Sequence, residues 1–216
     1  MNKENYQKLL ESELSKDGAA GKELMLHACC APCSSHVLDY LHDKIKITVF
    51  YYNPNIVEKD EYYKREAELE RLIEEINKEY PGANINFAAG NFEPERFLEI
   101  SKGLEKEPEG GARCEKCFYL RLKETAIMAK ESGSDYFTTT LTISPLKNAE
   151  LLNNIGREIS REVGIPFLPS DFKKKEGYKH SVELSAKYGL YRQNYCGCPF
   201  SKAESLEREK ANKERK

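Results

Sequence analysis

From residue 23 to residue 188, short apolar runs alternate with longer segments of helical periodicity, and few architectures accept that rhythm. Glu23–Cys30 (ELMLHACC) reads as a buried strand. Lys44–Pro54 is the clearest strand in the chain, stopped by Asn53–Pro54. Asn84–Gly90, Asp135–Ser144 and Gly164–Asp171 read as three more, the last broken by prolines. Helical patterns lie between and after them: Cys33–His42 with Ser34 or Ser35 as the expected N-cap, Glu58–Glu79, Glu93–Ser101, Cys114–Gly133, Asn148–Val163 and Glu176–Tyr188. The long second helix repeats Tyr62, Leu69, Leu72, Ile73 and Ile76 on one face. Strands separated by helices pair in parallel, so the expected fold is α/β: a mainly parallel sheet with helices on both faces. Sites in such sheets lie beyond the C-terminal strand ends. This sequence puts Cys29 and Cys30, Asn53–Pro54, Ser144–Pro145 and Asp171 there.

The 216 residues suit one domain, and a hydrophobic fraction of 39% suffices for a core. No apolar run approaches the roughly 20 residues that cross a bilayer. The opening MNKENYQKLLESELSKDG lacks the apolar stretch of a signal peptide, so a cytoplasmic protein is expected.

Seven cysteines stand in three tight groups and none is scattered. CCAPC holds Cys29, Cys30 and Cys33; CEKC holds Cys114 and Cys117; CGC holds Cys196 and Cys198. An odd count cannot pair completely, and a cytosol keeps thiols reduced. Two cysteines three apart at a helix start converge on one ion, and the helix N-terminus favours the thiolate that ligates it. The glycine of CGC lets the backbone bend closely around a bound atom. Structural zinc, an iron–sulfur cluster and a disulfide relay all use such thiols. Seven exceed one tetrahedral site, so four for a cluster and three for a second ion is one division.

The formal net charge of −2 hides an asymmetry. Residues 171–216 hold 12 Lys and Arg against 7 Asp and Glu, whereas residues 1–170 carry a net charge of −7. The surplus includes Lys173, Lys174, Lys175 and Arg192, a local cluster suited to phosphates. Tyr191 and Arg192 lie beside the CGC loop, where an aromatic ring and hydrogen-bonding groups can hold an unpaired base. His27 reads as a packed core residue, and His180 as a surface residue or a proton donor. Neither G-x-x-x-x-G-K-[ST] nor G-x-G-x-x-G occurs.

The segments LMLHACCAPCSSHVL, FYYNPNI, RCEKCFYLRLKETA, FTTTLTISPLKN and YRQNYCGCPFS together resemble the QueH family of cobalamin-independent epoxyqueuosine reductases. The resemblance spans residues 22–206. An N-terminal extension (1–21) and a charged tail (207–216) flank it. It implies a Rossmann-like fold akin to PP-loop and adenine-nucleotide α-hydrolase-like proteins. It also implies reduction of epoxyqueuosine to queuosine at the wobble position of tRNAs with GUN anticodons. The implied cofactors are a [4Fe–4S] cluster and a nearby mononuclear iron or zinc, without cobalamin. The cluster is expected to pass electrons from a flavodoxin- or ferredoxin-like donor, and the second metal to act as a Lewis acid on the epoxide. The family's cysteines match Cys29, Cys30, Cys114, Cys117, Cys196 and Cys198. Cys33 stands where some relatives have aspartate, and the resemblance leaves open whether it joins the other six as a metal ligand. Asp171 or His180 is the expected acid. Lys173, Lys174, Lys175, Tyr191 and Arg192 are the expected tRNA contacts. Two other readings stay open: an iron–sulfur tRNA thiolase of the PP-loop type, whose S-G-G-x-D-S loop is missing here, and a non-catalytic zinc module that binds RNA.

Overall fold

In the computed structural model, residues 4–214 are described. Met1–Lys3 of the expected extension and Arg215 and Lys216 of the expected tail lie outside them. Four strands, β1 (Glu23–His27), β2 (Lys46–Tyr51), β3 (Asn86–Ala89) and β4 (Tyr136–Thr139), form one sheet in the order β3-β2-β1-β4. All three pairings are parallel, with Leu26 opposite Val49 and Thr138. The connections are helical: α2 (Ala31–Leu41) after β1, α3 (Lys59–Glu79) after β2, and α4 (Pro94–Ser101) with α5 (Ala112–Glu131) after β3. Beyond β4 follow α6 (Ala149–Val163), α7 (Gly177–Lys187) and α8 (Pro199–Glu214).

Side chains alternate across a strand, so the central strands feed two cores. Leu24, Leu26, Ile47, Val49 and Tyr51 pack with α2 and α3 on one face. Met25, Phe50 and Phe137 pack with α5 and α6 on the other. This double burial explains why Leu24–Leu26 of β1 are apolar in succession rather than alternating. The face of α6 is Leu152, Ile155 and Ile159; Asn148 caps its start by accepting from the amides of Glu150 and Leu151.

Four expectations need correction. Gly164–Asp171 is not a strand: only Phe167 bridges, to Phe137, because Pro166 and Pro169 lack the amide a ladder needs. The strand expected to reach Ser144 ends at Thr139, whose hydroxyl accepts from the Leu141 amide and starts a 3₁₀ turn over Thr140–Ile143. The N-cap of α2 is Cys30, not Ser34 or Ser35. Pro32 fits the first helical turn, and both serines lie inside the helix, bonded back to the Cys30 and Pro32 carbonyls. Residues 6–14, read only as an extension, form helix α1 (Tyr6–Leu14), whose Leu10 is 0% exposed in the main core. Burying it stabilises the fold by about 1.5–3 kcal/mol. No helix among the described residues is long and apolar enough to cross a membrane.

Candidate metal centre

All seven cysteines lie beyond the C-terminal end of the sheet or on the helices that frame it, and none is disulfide-bonded. Cys29 and Cys30 follow β1 directly. Cys30 is fully extended (φ −175°, ψ 161°), and Cys33 sits in the first turn of α2. The three Sγ atoms lie within 4.8 Å of one another, the only such trio of candidate ligands among the described residues. Cys29 Sγ and Cys30 Sγ are 3.7 Å apart. Two thiolates on one tetrahedral ion sit ~3.8 Å apart, given metal–sulfur bonds of ~2.3 Å. The trio therefore has the spacing for a single soft cation. Hydrogen bonds from the Cys30 and Cys33 thiols hold Cys29 well below the ordinary thiol range. The same bonds raise its partners, Cys30 to about 12. Lys147 adds positive charge: burial opposes its proton, but the neighbouring cysteine sulfurs, Cys29 among them, outweigh that and retain it.

The other four cysteines line one narrow pocket with Asn55 and Arg113. Cys114 and Cys117 lie in the first turns of α5, three residues apart and so on one face. Cys196 and Cys198 come from the loop before α8. Gly197 between them has φ +127°, a region open essentially to glycine alone. Backbone amides point at two of the sulfurs: Gly110 N–H donates to Cys114 Sγ (3.2 Å) and Ser201 N–H to Cys198 Sγ (3.3 Å). Burial raises the Cys114 thiol and lifts Cys117 to about 12, so neutral thiols suit this pocket until a cation takes their protons. Three buried polar atoms of its wall residues, Asn55 Oδ1 and Arg113 Nε and Nη2, have no hydrogen-bond partner. Four soft donors, wider apart than the trio, with orphaned polar atoms among them, fit a group larger than one ion.

The two sets meet at a cavity of about 360 Å³, lined by Cys29, Cys30, Cys33 and Cys196. Cys196 also lines the four-cysteine pocket, and Glu109 borders both spaces. Tyr178 and Leu146, 63% exposed, stand at the rim. The volume falls in the range that holds a small organic ligand.

Arg192 of the expected RNA contacts lines this cavity and donates to Ser185 Oγ (2.9 Å). Tyr191 does not line it: its hydroxyl donates to Glu61 and Lys64 covers its ring at 3.5 Å. Asp171 lines a different cavity, paired with Lys173 at 3.2 Å. His180 does not line the cysteine cavity either and meets His36, Nδ1 to Nδ1 at 3.0 Å. Of the lysine run, Lys173 bonds the Lys147 carbonyl, Lys175 pairs with Glu11, and Lys174 is exposed. The sequence reading missed Lys147, Glu109 and Arg121. Gln193, read from the sequence as a hydrogen-bonding group beside the CGC loop, does line the cavity, but nothing marked the other three among 70 charged residues.

A family model described as "Epoxyqueuosine reductase QueH" matches residues 24–204. Relatives from several bacteria carry that same name, among them the following three. The one from Staphylococcus epidermidis is 41% identical, covering 91% of this chain and 84% of its own. That from Streptococcus pyogenes is 40% identical (91% and 78%). That from Thermotoga maritima is 34% identical (86% and 93%).

Proposed function

The chain belongs to the QueH family of epoxyqueuosine reductases, which are oxidoreductases, and from that premise we propose that it reduces epoxyqueuosine in tRNA to queuosine. The reaction removes one oxygen: two electrons and two protons turn the epoxide into an alkene and water. The observation that carries the reading is the division of the seven cysteines, three within 4.8 Å and four around a separate pocket, meeting at one cavity. Cys114, Cys117, Cys196 and Cys198 would hold a [4Fe–4S] cluster, and Cys29, Cys30 and Cys33 a single iron or zinc. When bound, these groups supply single electrons and a Lewis acid for the epoxide oxygen.

The chain's own residues do the rest. The 360 Å³ cavity takes a nucleoside turned out of the anticodon loop, where unpaired bases leave the stack at small cost. Lys147 beside the thiolates favours negative charge developing on oxygen. Glu109, a carboxyl group in the cavity wall, delivers a proton, a role the sequence reading gave to Asp171 or His180. Tyr178 offers a ring for stacking, and Arg192 and Lys174 offer charge to phosphates. Electrons come from a small external donor of the flavodoxin or ferredoxin kind.

Nucleoside mass spectrometry tests this. tRNA bearing epoxyqueuosine is incubated without oxygen with dithionite-reduced protein. Conversion to queuosine is expected; an unchanged epoxide in the presence of fully loaded protein refutes the reading.

A further inference from the structure

Arg121 is 0% exposed in the middle of α5, and among the described residues no carboxylate pairs with it. Its Nη2 donates to Asn53 Oδ1 (2.5 Å), which in turn anchors to the Ala28 carbonyl through Nδ2 (2.9 Å). Its Nε donates to His27 Nε2 (3.3 Å) and its Nη1 to Cys117 Sγ (4.0 Å). Guanidinium stays protonated at any working pH and can only donate. His27 Nε2 also lies 3.2 Å from the Tyr52 carbonyl, and its Nδ1 meets Thr139 Oγ1 at 2.8 Å. The ring is neutral, so every hydrogen-bond partner of this cation is uncharged or a sulfur.

A buried charge with no counter-ion is among the costliest arrangements in a fold. The groups near Arg121 that can become anions are sulfurs: Cys117, in direct contact, and Cys196 and Cys29, drawn from both cysteine sets. Those sulfurs gain fixed negative charge when they bind metal. We propose that Arg121 is the internal counter-ion of the metal-bound cysteines: its charge couples metal loading to folding and raises the reduction potential of the group held by Cys117. The potential follows because an added electron increases the negative charge that Arg121 faces. Arg121 acts as a positioning residue here, through sulfur, without touching substrate. The inference rests on the reading of the cysteines as a metal centre.

Two variants and a thermodynamic cycle test it. Arg121→Gln removes the charge and keeps a donor; Arg121→Lys keeps the charge. Urea unfolding of stripped and metal-loaded protein gives the stability gained on loading for each form, a difference that cancels any purely structural cost. Arg121→Gln should lose most of that gain and Arg121→Lys should keep most of it. Equal gains in all three proteins would overturn the proposal. On the loaded proteins, redox titration followed by electron paramagnetic resonance should show the one-electron equilibrium shifted at least tenfold toward the oxidised form in Arg121→Gln, a drop of 59 mV or more. Arg121→Lys should stay nearer wild type. Identical potentials, or equal shifts in both variants, contradict a charge effect. A wild-type protein that holds only zinc would defeat the cluster reading above. The loading cycle run with zinc would still decide the role of Arg121.

Discussion

Replacing Gly197 by alanine puts a methyl group at the joint between two cysteines, and the structure sets the size of the effect. The backbone at φ +127° is one that side-chain-bearing residues avoid, at a strain of about 1–3 kcal/mol. The added Cβ would lie 2.7 Å from Ile56 Cγ1 and 3.2 Å from both Arg65 Nη1 and Asn55 Nδ2. Ile56 is fully buried in the main core and cannot yield freely, so overpacking adds about 1–3 kcal/mol. The total of ~2–6 kcal/mol is a large share of the ~5–15 kcal/mol that holds a domain together. The pressure also falls on Arg65, whose Nη1 donates to the Cys196 carbonyl at 3.1 Å, so Cys196 should lose its place. Gly103→Ala is the control: its φ is +76°, yet nothing lies within 4 Å of the new methyl group. That variant should cost only about 1–2 kcal/mol of left-handed strain and keep its metal. Urea unfolding of the stripped proteins and metal analysis of the loaded ones measure both effects. If Gly197→Ala matched Gly103→Ala in stability and metal content, the close approach around the CGC turn would not be what holds that pair of sulfurs.

Leu10→Ala should cost about 2–5 kcal/mol in urea unfolding, because Leu10 is fully enclosed by the main core; a loss below 0.5 kcal/mol would mean that α1 is not docked in solution. Burial, and then His180, lower His36 to about 4, below the free imidazole value of about 6.5. Between those two values the unfolded chain binds the extra proton, so stability falls as the pH drops from about 6.5 to about 4. His36→Gln should flatten that acid limb by less than about 1.4 kcal/mol per pH unit, since the ring retains some solvent; an unchanged slope across the window refutes the assignment. Glu109→Gln should keep metal and tRNA binding while turnover falls by about 10²–10⁴-fold, and undiminished single-turnover rates would remove Glu109 as the proton source.

The two central strands were legible because burial on both faces leaves an unbroken apolar record, as in Leu24–Leu26 and Val49–Tyr51. The seven cysteines were legible because no other residue supplies the same soft donor, and clustering in sequence foretold clustering in space. Helix α1 was overlooked because Glu, Lys and Ser surround its one fully buried leucine. The strand expected at Gly164–Asp171 failed where Pro166 and Pro169 withdraw ladder donors, a signal present in the sequence but given too little weight. Arg121 looks like any surface cation of a helix; its partners His27 and Asn53 lie 94 and 68 residues away. Asp171 was singled out by its place at an expected strand end and His180 by the lysine run before it; their partners in the fold are Lys173 and His36. Charge cannot reveal such pairings without the topology.

Metal and acid-labile sulfide analysis of Cys33→Ser, purified without oxygen beside the wild type, tests the three-plus-four division most directly. The division requires that the variant keep its sulfide, its matching iron and the brown colour of the cluster while losing the one further metal ion. Loss of the sulfide together with all the iron would place Cys33 on the cluster instead and contradict it.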